Sequence, residues 1–361
     1  MPPTPPLADT RGFIDVIRPE GDSVILAGWA LPREAEPVDR FTVAFGGEEA
    51  RVVESALRCE SPDIAEAYPG YPLARSARFH LRAAAPSPRL RALATSALVR
   101  VTPHVGARRG YAIFGVHESA IPRPSEADVD VIGGSYATAF EFLAHFVERG
   151  GLAPRDRVLD VGCGVGRMAI PLAFYLAPDA PYRGFDIAEK GLAWARDVIG
   201  SRFANFEFAK VDIHNEAYNP AGQLRATEFA FPYPDRSFDF VFLTSVFTHL
   251  RGAETRHYLD EIARVLDPRG GRCLATAFLL DAESRAGIAA GRSSRNLVHP
   301  VDDGFTSDPE LPENAIGFDE PLFLSWAEKS GLRLAAKHPG GWCGRDRFAS
   351  YQDVLVFTKK P

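Results

Sequence analysis

The chain has 361 residues, 46% of them hydrophobic and 24% charged, with 41 Lys and Arg against 47 Asp and Glu. That size allows two domains, and the composition is that of a folded globular protein. A net charge of −6 with no basic stretch provides no face for a phosphate backbone, so nucleic acid is not expected as a partner. No run of about 18 apolar residues is present, so no membrane span is expected. Cys59, Cys163, Cys273 and Cys343 are scattered without metal-ligand spacing; they suit a reducing cytoplasm, and no metal site is expected. Residues 1–6 are proline-rich and lack a basic-then-apolar layout, so they read as a tail and not a signal peptide.

Between residues 12 and 120, short alternating apolar runs recur over 13–17, 23–30, 41–45, 77–81 and 97–101, separated by Gly, Pro and charged turns. Alternation of this length buries one face of a strand. It predicts a small all-β, sandwich-like domain over 1–120 and not βαβ units. Trp29 lies in the second run, where a tryptophan is core before it is a platform for a sugar ring. The segment AGWALP at 27–32 resembles a small β-sandwich module of bacterial enzymes that work on surface glycans. That resemblance implies glycan docking, or contact with a protein such as a second copy, for this domain. Pro122 and Pro124 mark a linker over 121–130.

The remainder, 131–361, reads differently. Residues 138–147 have apolar positions at helical spacing and stop at Gly150 and Gly151. VLDVGCGVGR follows at 158–167: a buried parallel strand from Val158 to Val161, glycines at 162, 164 and 166, then a helix. Glycine is needed where a Cβ would hold a ligand away from the backbone. A dinucleotide site spaces its glycines G-x-G-x-x-G and docks a pyrophosphate on the helix N-terminus. Here the spacing is G-x-G-x-G, and Asp160 stands two residues before it. That carboxylate would repel a pyrophosphate and welcome an amino group or a sulfonium.

From there strands alternate with helices. Strands are predicted over 182–187, 206–213, 238–245 and 272–279, with helices over 191–196 and 258–266. Asp186 comes twenty residues after Gly166, at the tip of the second strand, where an acid accepts both hydroxyls of a ribose. Residues 281–320 break the rhythm with few apolar positions and a turn at Asp302, Asp303 and Gly304. They predict an insertion beside the site, placed to cover a substrate. A helix over 321–331 and strands over 333–337 and 353–357 close the chain.

These residues resemble the class I S-adenosylmethionine (SAM)-dependent methyltransferases over roughly 130–360. The resemblance rests on the G-x-G-x-G turn, on Asp186 and Asp212 at two successive strand tips, on PYPDRSFDF at 232–240 and on EIARVLDPRGG at 261–271. It implies an α/β fold with a Rossmann-like, seven-stranded sheet and helices on both faces. It also implies SAM as cofactor and S-adenosylhomocysteine as product. It places Asp160 at the methionine amino group, directly or indirectly. Gly162, Cys163, Gly164, Gly166 and Arg167 would line the backbone approach, Asp186 and Ile187 the ribose, and Asp212 and Ile213 the adenine. Thr244 and Ser245 would lie at the sheet's carboxyl edge. Tyr136 would stand near the methionine end, with a core role as the alternative. The N/D-P-P-Y/F tetrad of amino-directed enzymes is absent, which disfavours DNA bases and favours oxygen acceptors.

His249, in the SVFTHL run after the fourth strand, is the candidate general base, because an imidazole titrates near neutrality. Lining the pocket or capping the next helix is its alternative. His299, Asp302 and Asp303 are second choices. Trp342 and Arg345, in the glycine-rich stretch 340–347, are candidates to line an acceptor pocket. The expected function is transfer of the SAM methyl group to a hydroxyl, of a sugar or glycan in view of the first domain. Three alternatives stay open: a small natural product methylated on oxygen or nitrogen, a SAM-binding protein without turnover, and a nicotinamide oxidoreductase, which the glycine spacing disfavours.

Overall fold

The computed structural model describes residues 8–120, 125, 136–216 and 218–360. The expected linker, apart from Ser125, lies outside the described residues. The chain divides into two compact units, Met1–Glu148 with Arg167–Tyr175, and Arg149–Gly166 with Leu176–Pro361.

The first unit is built on β1 (Thr10–Glu20), β2 (Ser23–Pro32), β3 (Arg40–Phe45), β4 (Glu48–Ala50), β5 (Val52–Cys59), β6 (Arg78–Ala84), β7 (Leu98–Val105), β8 (Arg108–Arg109) and β9 (Ile113–Val116). One antiparallel sheet runs β1-β2-β6-β5; the other runs β4-β3-β7-β8 with β9 on β7. Alternation explains the pairing of faces. Val24 and Leu26 of β2 and Phe79 and Leu81 of β6 meet Val43 of β3 and Val99 and Val101 of β7 in one core. Trp29 points to the other face of β2. It is half-buried, with its ring 5.5 Å from that of Tyr68, so it packs at the edge of a small second cluster. β5 was not legible because most of its residues are exposed and its apolar positions do not alternate. The helix expected over 138–147 runs Tyr136–Ala144 and continues as a π-helical turn, His145–Arg149.

The second unit carries β10 (Val158–Val161), β11 (Tyr182–Asp186), β12 (Phe206–Lys210), β13 (Phe240–Leu243), β14 (Arg272–Ala277), β15 (Leu279–Leu280), β16 (His299–Val301), β17 (Gly304–Thr306), β18 (Ile316–Asp319), β19 (Leu332–His338) and β20 (Asp353–Lys359). Seven of them form one sheet in the order β12-β11-β10-β13-β14-β20-β19. The strands from β12 to β14 are parallel, and β20 runs antiparallel between β14 and β19. This is the α/β, Rossmann-like architecture that the sequence led us to expect. β10 and β13 are buried along their whole length, as central parallel strands are. The Phe-Asp of the SFDF run has a structural task here. Asp239 accepts the Arg157 backbone N–H and Nε, each at 2.9 Å, and Nη2 at 2.8 Å. Arg157 also reaches Asp267 at 3.1 Å, so the entry ends of β10, β13 and β14 are tied together. Arg157 holds the Asp239 carboxyl below the usual range.

The stretch 281–320 is folded and not a bare loop. It supplies the helix Ala282–Ala289, capped by Asp281, and the strands β16 to β18, which form a second sheet, β15-β18-β17-β16. Trp342 and Arg345 are not available to line an acceptor pocket. Trp342 is 0% exposed, and its indole N–H donates to Asp353 at 2.9 Å. The buried Arg345 guanidinium bonds both oxygens of Asp281 at 2.8 Å, Glu283 at 2.9 Å and Asp353 at 3.4 Å. A cation can be buried at this depth only among carboxylates. Arg345 therefore fastens the glycine-rich stretch to the start of the 282–289 helix. Replacing Arg345 by Ala leaves Asp353 buried without its cation and is expected to destabilise the fold by about 3–5 kcal/mol in urea denaturation. A loss below about 1 kcal/mol would show that the cluster is not structural.

Candidate functional site

The strand order sets the tips of β11, β10 and β13 side by side. After Val161 the backbone passes through Gly162 at φ +76°, Gly164 at +53° and Gly166 at +74°, a left-handed region that glycine enters at little steric cost. Gly162 has a second reason: a Cβ there would stand 2.5 Å from Val246 Cγ2. The N–H groups of this turn are engaged within the fold. Gly162 and Cys163 donate to the Phe185 carbonyl at 2.9 and 3.0 Å, and Gly166 to Cys163 at 2.8 Å. Gly164 donates to Asp186 Oδ2 at 2.7 Å. These glycines therefore shape the turn and anchor Asp186, where the sequence had suggested donors facing a ligand.

Asp186 Oδ1 accepts the Ala188 N–H at 2.8 Å, so both carboxylate oxygens are positioned by backbone. Each oxygen has two lone pairs, which leaves capacity for a diol. Burial pushes the Asp186 pKa up, and the N–H bonds from Ala188, Gly164 and Ile187 oppose it. Asp160 lies deeper. It is 1% exposed and accepts the Tyr182 hydroxyl at 2.5 Å. Burial closes the direct one of its two expected roles and leaves the indirect one. Burial, then the neighbouring Asp160, pushes the Cys163 thiol well up, so Cys163 is a neutral packing group.

Beyond β12, Asp212 is exposed, and Ile213 packs in the core at 3% exposure. Core packing thus replaces the expected contact of Ile213 with an adenine ring. Ile187 is half-buried against the same core. Arg167 clusters with the first unit, and the side chain of Tyr136 lies outside the described residues, so neither is placed here.

Past β13, Thr244 is half-buried and Ser245 is held at φ +61°. A closed ring of hydrogen bonds surrounds Ser245. The Ser245 N–H must donate, and it does so to Thr276 Oγ1 at 2.8 Å. The Thr276 hydroxyl then donates to Gln352 Oε1 at 2.6 Å, and Gln352 Nε2 donates to Ser245 Oγ at 2.8 Å. With the Gln352 amide turned this way, the hydroxyl proton of Ser245 is left over as a donor.

His249 ends the 3₁₀ turn Phe247–His249, and its Nδ1 lies 2.8 Å from the Glu313 carbonyl oxygen. A carbonyl only accepts, so Nδ1 carries the proton and the neutral ring has a bare Nε2. Burial pulls the His249 pKa below its ordinary value, Arg295 acts in the same direction, and the bond to Glu313 opposes both. The Tyr218 ring meets His249 in an edge contact, centroids 5.2 Å apart. The Glu313 side chain also accepts the Glu216 N–H at 2.9 Å and faces Arg251 Nε at 3.5 Å. One residue of the 281–320 stretch thus positions both the imidazole and the turn that carries Tyr218.

The second-choice bases have other work. Asp302 pairs with Arg251 at 3.2 Å and Asp303 with Arg256 at 2.7 Å, both on the β16–β17 hairpin turn, and His299 is exposed on β16. Tyr218, Thr276, Glu313 and Gln352 escaped the sequence reading. Three of them act through partners 31 to 107 positions away, and only Tyr218, an aromatic between Asn215 and Asn219, carried any local signal.

Residues 159–274 match a family model described as a methyltransferase domain. The chain carries a class I SAM-dependent methyltransferase domain. SAM is the cofactor of this domain, and the anchored Asp186 carboxylate and the left-handed glycine turn fit a nucleoside with an amino-acid tail. The chain is 36% identical over 201 residues to the 27-O-demethylrifamycin SV methyltransferase of Amycolatopsis mediterranei (strain S699), across 50% of this chain and 65% of that protein. It is 28% identical over 127 residues to an uncharacterized methyltransferase of Schizosaccharomyces pombe, across 35% of this chain and 42% of that one. The match thus spans less than two thirds of either relative's length. A crystal structure from Pyrococcus horikoshii OT3 is similar at 20% identity and a TM-score of 0.44, over 68% of this chain and 100% of that one.

Two expectations follow for the methyltransferase domain. Asp186→Ala should weaken S-adenosylhomocysteine binding at least tenfold in calorimetry; unchanged affinity would remove Asp186 from the site. Ser245→Ala and Ser245→Gly both lose the Gln352 bond, but only glycine relieves the left-handed backbone, so the Gly variant should be the more stable by about 1 kcal/mol in urea denaturation.

Proposed function

We propose that this protein is an O-methyltransferase acting on a small hydroxylated acceptor. The observation that carries the reading is the bond from His249 Nδ1–H to the Glu313 carbonyl, which leaves Nε2 unprotonated at the carboxyl edge of the sheet. When bound, SAM supplies an electrophilic methyl group on its sulfonium. The part of this chain is to hold the nucleoside and to take a proton. Asp186 receives the ribose hydroxyls, fixed by Gly164 and Ala188. His249 Nε2 takes the acceptor hydroxyl proton, with the imidazolium charge shared through Nδ1–H and the Glu313 carbonyl. The Ser245 hydroxyl, held by Gln352, is a donor in the same turn. An amine acceptor would need less help from a base, so a poised imidazole favours oxygen. The relative named for 27-O-demethylrifamycin SV supports a small-molecule oxygen acceptor. A sugar hydroxyl belongs to the same chemistry and is separated by the test below.

Labelled methyl from SAM would be offered with fractionated small-molecule, glycan, protein and nucleic-acid acceptors. Label is expected in the small-molecule or glycan fraction. Label confined to protein or nucleic acid would overturn the proposal. His249→Gln should lower transfer by about 10²–10⁴-fold while S-adenosylhomocysteine affinity is kept. The base works only when unprotonated and its pKa lies below the ordinary 6.5. Transfer should therefore rise with pH through a midpoint under 6.5 and be level from pH 7 to 8; a midpoint above 7 would exclude His249.

A further inference from the structure

Two rings meet at the sheet edge, and they come from strands that are not neighbours. Tyr218 lies in the segment that leaves β12, and His249 in the turn that leaves β13. In the sheet, β11 and β10 stand between those strands. Three strand spacings, about 14 Å in all, separate β12 from β13. Yet the centroids of the Tyr218 and His249 rings are 5.2 Å apart, with the ring planes at 82°. The four strands are parallel, so both segments depart from the same, carboxyl edge. The contact therefore spans the ends of β11 and β10, where Asp186 and the glycine turn stand. Burial, then the Asp186 carboxylate, pushes the Tyr218 phenol up, in keeping with a ring that crosses that acid.

The two arms of this bridge are held, and the joint between the rings is loose. On one arm the Tyr218 N–H donates to Asn215 Oδ1 at 2.9 Å. Asn215 and Asn219 exchange backbone bonds at 3.2 and 3.0 Å, and Asn219 Nδ2 donates to the Ile213 carbonyl at 2.9 Å. The Glu313 carboxylate takes the Glu216 N–H of the same arm. On the other arm the Glu313 carbonyl takes the His249 Nδ1 proton. Among the described residues the Tyr218 hydroxyl makes no hydrogen bond, and the residue is 42% exposed. The imidazole is thus anchored, and the phenol rests on it by a ring edge alone. Such a contact has no hydrogen bond to break and parts when one exposed side chain changes rotamer.

We propose that the Tyr218 ring is the gate of the cofactor cleft: resting on His249 it closes the cleft, and swinging off the imidazole it admits cofactor and releases product. His249 is the fixed post of the gate and Tyr218 its moving leaf. This rests on the placement of the nucleoside at Asp186, and it holds whichever acceptor is methylated.

A gate is a property of rates, so the test measures rates. Association and dissociation of S-adenosylhomocysteine with the full chain would be followed by stopped-flow intrinsic fluorescence. A closed gate scales entry and exit by the same open fraction, so in Tyr218→Ala both rate constants should rise, by about three- to tenfold. Tyr218→Phe keeps the ring edge and should keep the rates of the unaltered chain. Asp186→Ala removes a ligand and leaves the gate, so it should speed dissociation alone. Unchanged rates in Tyr218→Ala overturn the proposal and leave the cofactor site standing. Faster dissociation alone in that variant also overturns it, since Tyr218 would then be a plain binding contact. Equal rates for Tyr218→Phe and Tyr218→Ala would move the effect from the ring to the hydroxyl and overturn it as well. Unchanged rates in Asp186→Ala would sink the placement of the nucleoside, and the gate with it.

Discussion

The bond from the Gly164 N–H to the Asp186 carboxylate is the constraint on which the site depends. It joins the turn after β10 to the tip of β11, and it forms only because the chain reverses through three left-handed glycines. A charge-assisted bond of this kind is roughly twice as strong as a neutral one, and burial of the carboxylate raises the cost of losing it. The missing Cβ of Gly162 extends the constraint to the third tip, since Val246 occupies that space directly after Ser245. Nucleoside acid, glycine turn and the segment leading to His249 are therefore set by one run of close packing. A side chain at Gly162 would have to move the start of the turn that carries His249.

The proposed base, His249, depends on a different part of the chain. The Nδ1 proton of His249 is fixed by a carbonyl at Glu313, 64 residues further on, and the Glu313 carboxylate fixes the backbone at Glu216 near Tyr218. The 281–320 stretch thus holds the His249 ring and the Glu216 backbone in place. Its own order comes from the Asp281 cap and from Arg345, which joins that acid to Asp353 at the start of β20. The orientation of His249 at the sheet edge is in this way coupled to packing behind the closing hairpin.

The sequence carried the sheet because its signals are local: apolar strands that break into glycine or end in an acid, and helices stopped by Pro268 or Gly331. Its placement of Asp186 at the tip of β11 and of His249 just past β13 was local for the same reason. It misjudged Trp342 and Arg345, because Gly, Trp and Arg in one stretch look alike whether they face a ligand or each other, and only the carboxylates of Asp281, Glu283 and Asp353 decide the matter. It misjudged Ile213 because the chain leaves β12 at Lys210 and turns that side chain inward. The ring of Ser245, Thr276 and Gln352 could not be read at all: its members are 31 to 107 positions apart, and one donor is a backbone N–H.

The distribution of charge partners separates structure from function in this unit. Arg157, Arg264, Arg272 and Arg345 each lie against carboxylates, and each ties segments that would otherwise part. Such pairs satisfy themselves and have nothing left for a ligand. At the sheet edge the accounting is open. Ser245, as its amide partner is turned, has a hydroxyl proton without a fixed acceptor, and His249 has a bare ring nitrogen. One is a donor and the other an acceptor, and a ligand hydroxyl can complement either, as the self-satisfied ion pairs cannot.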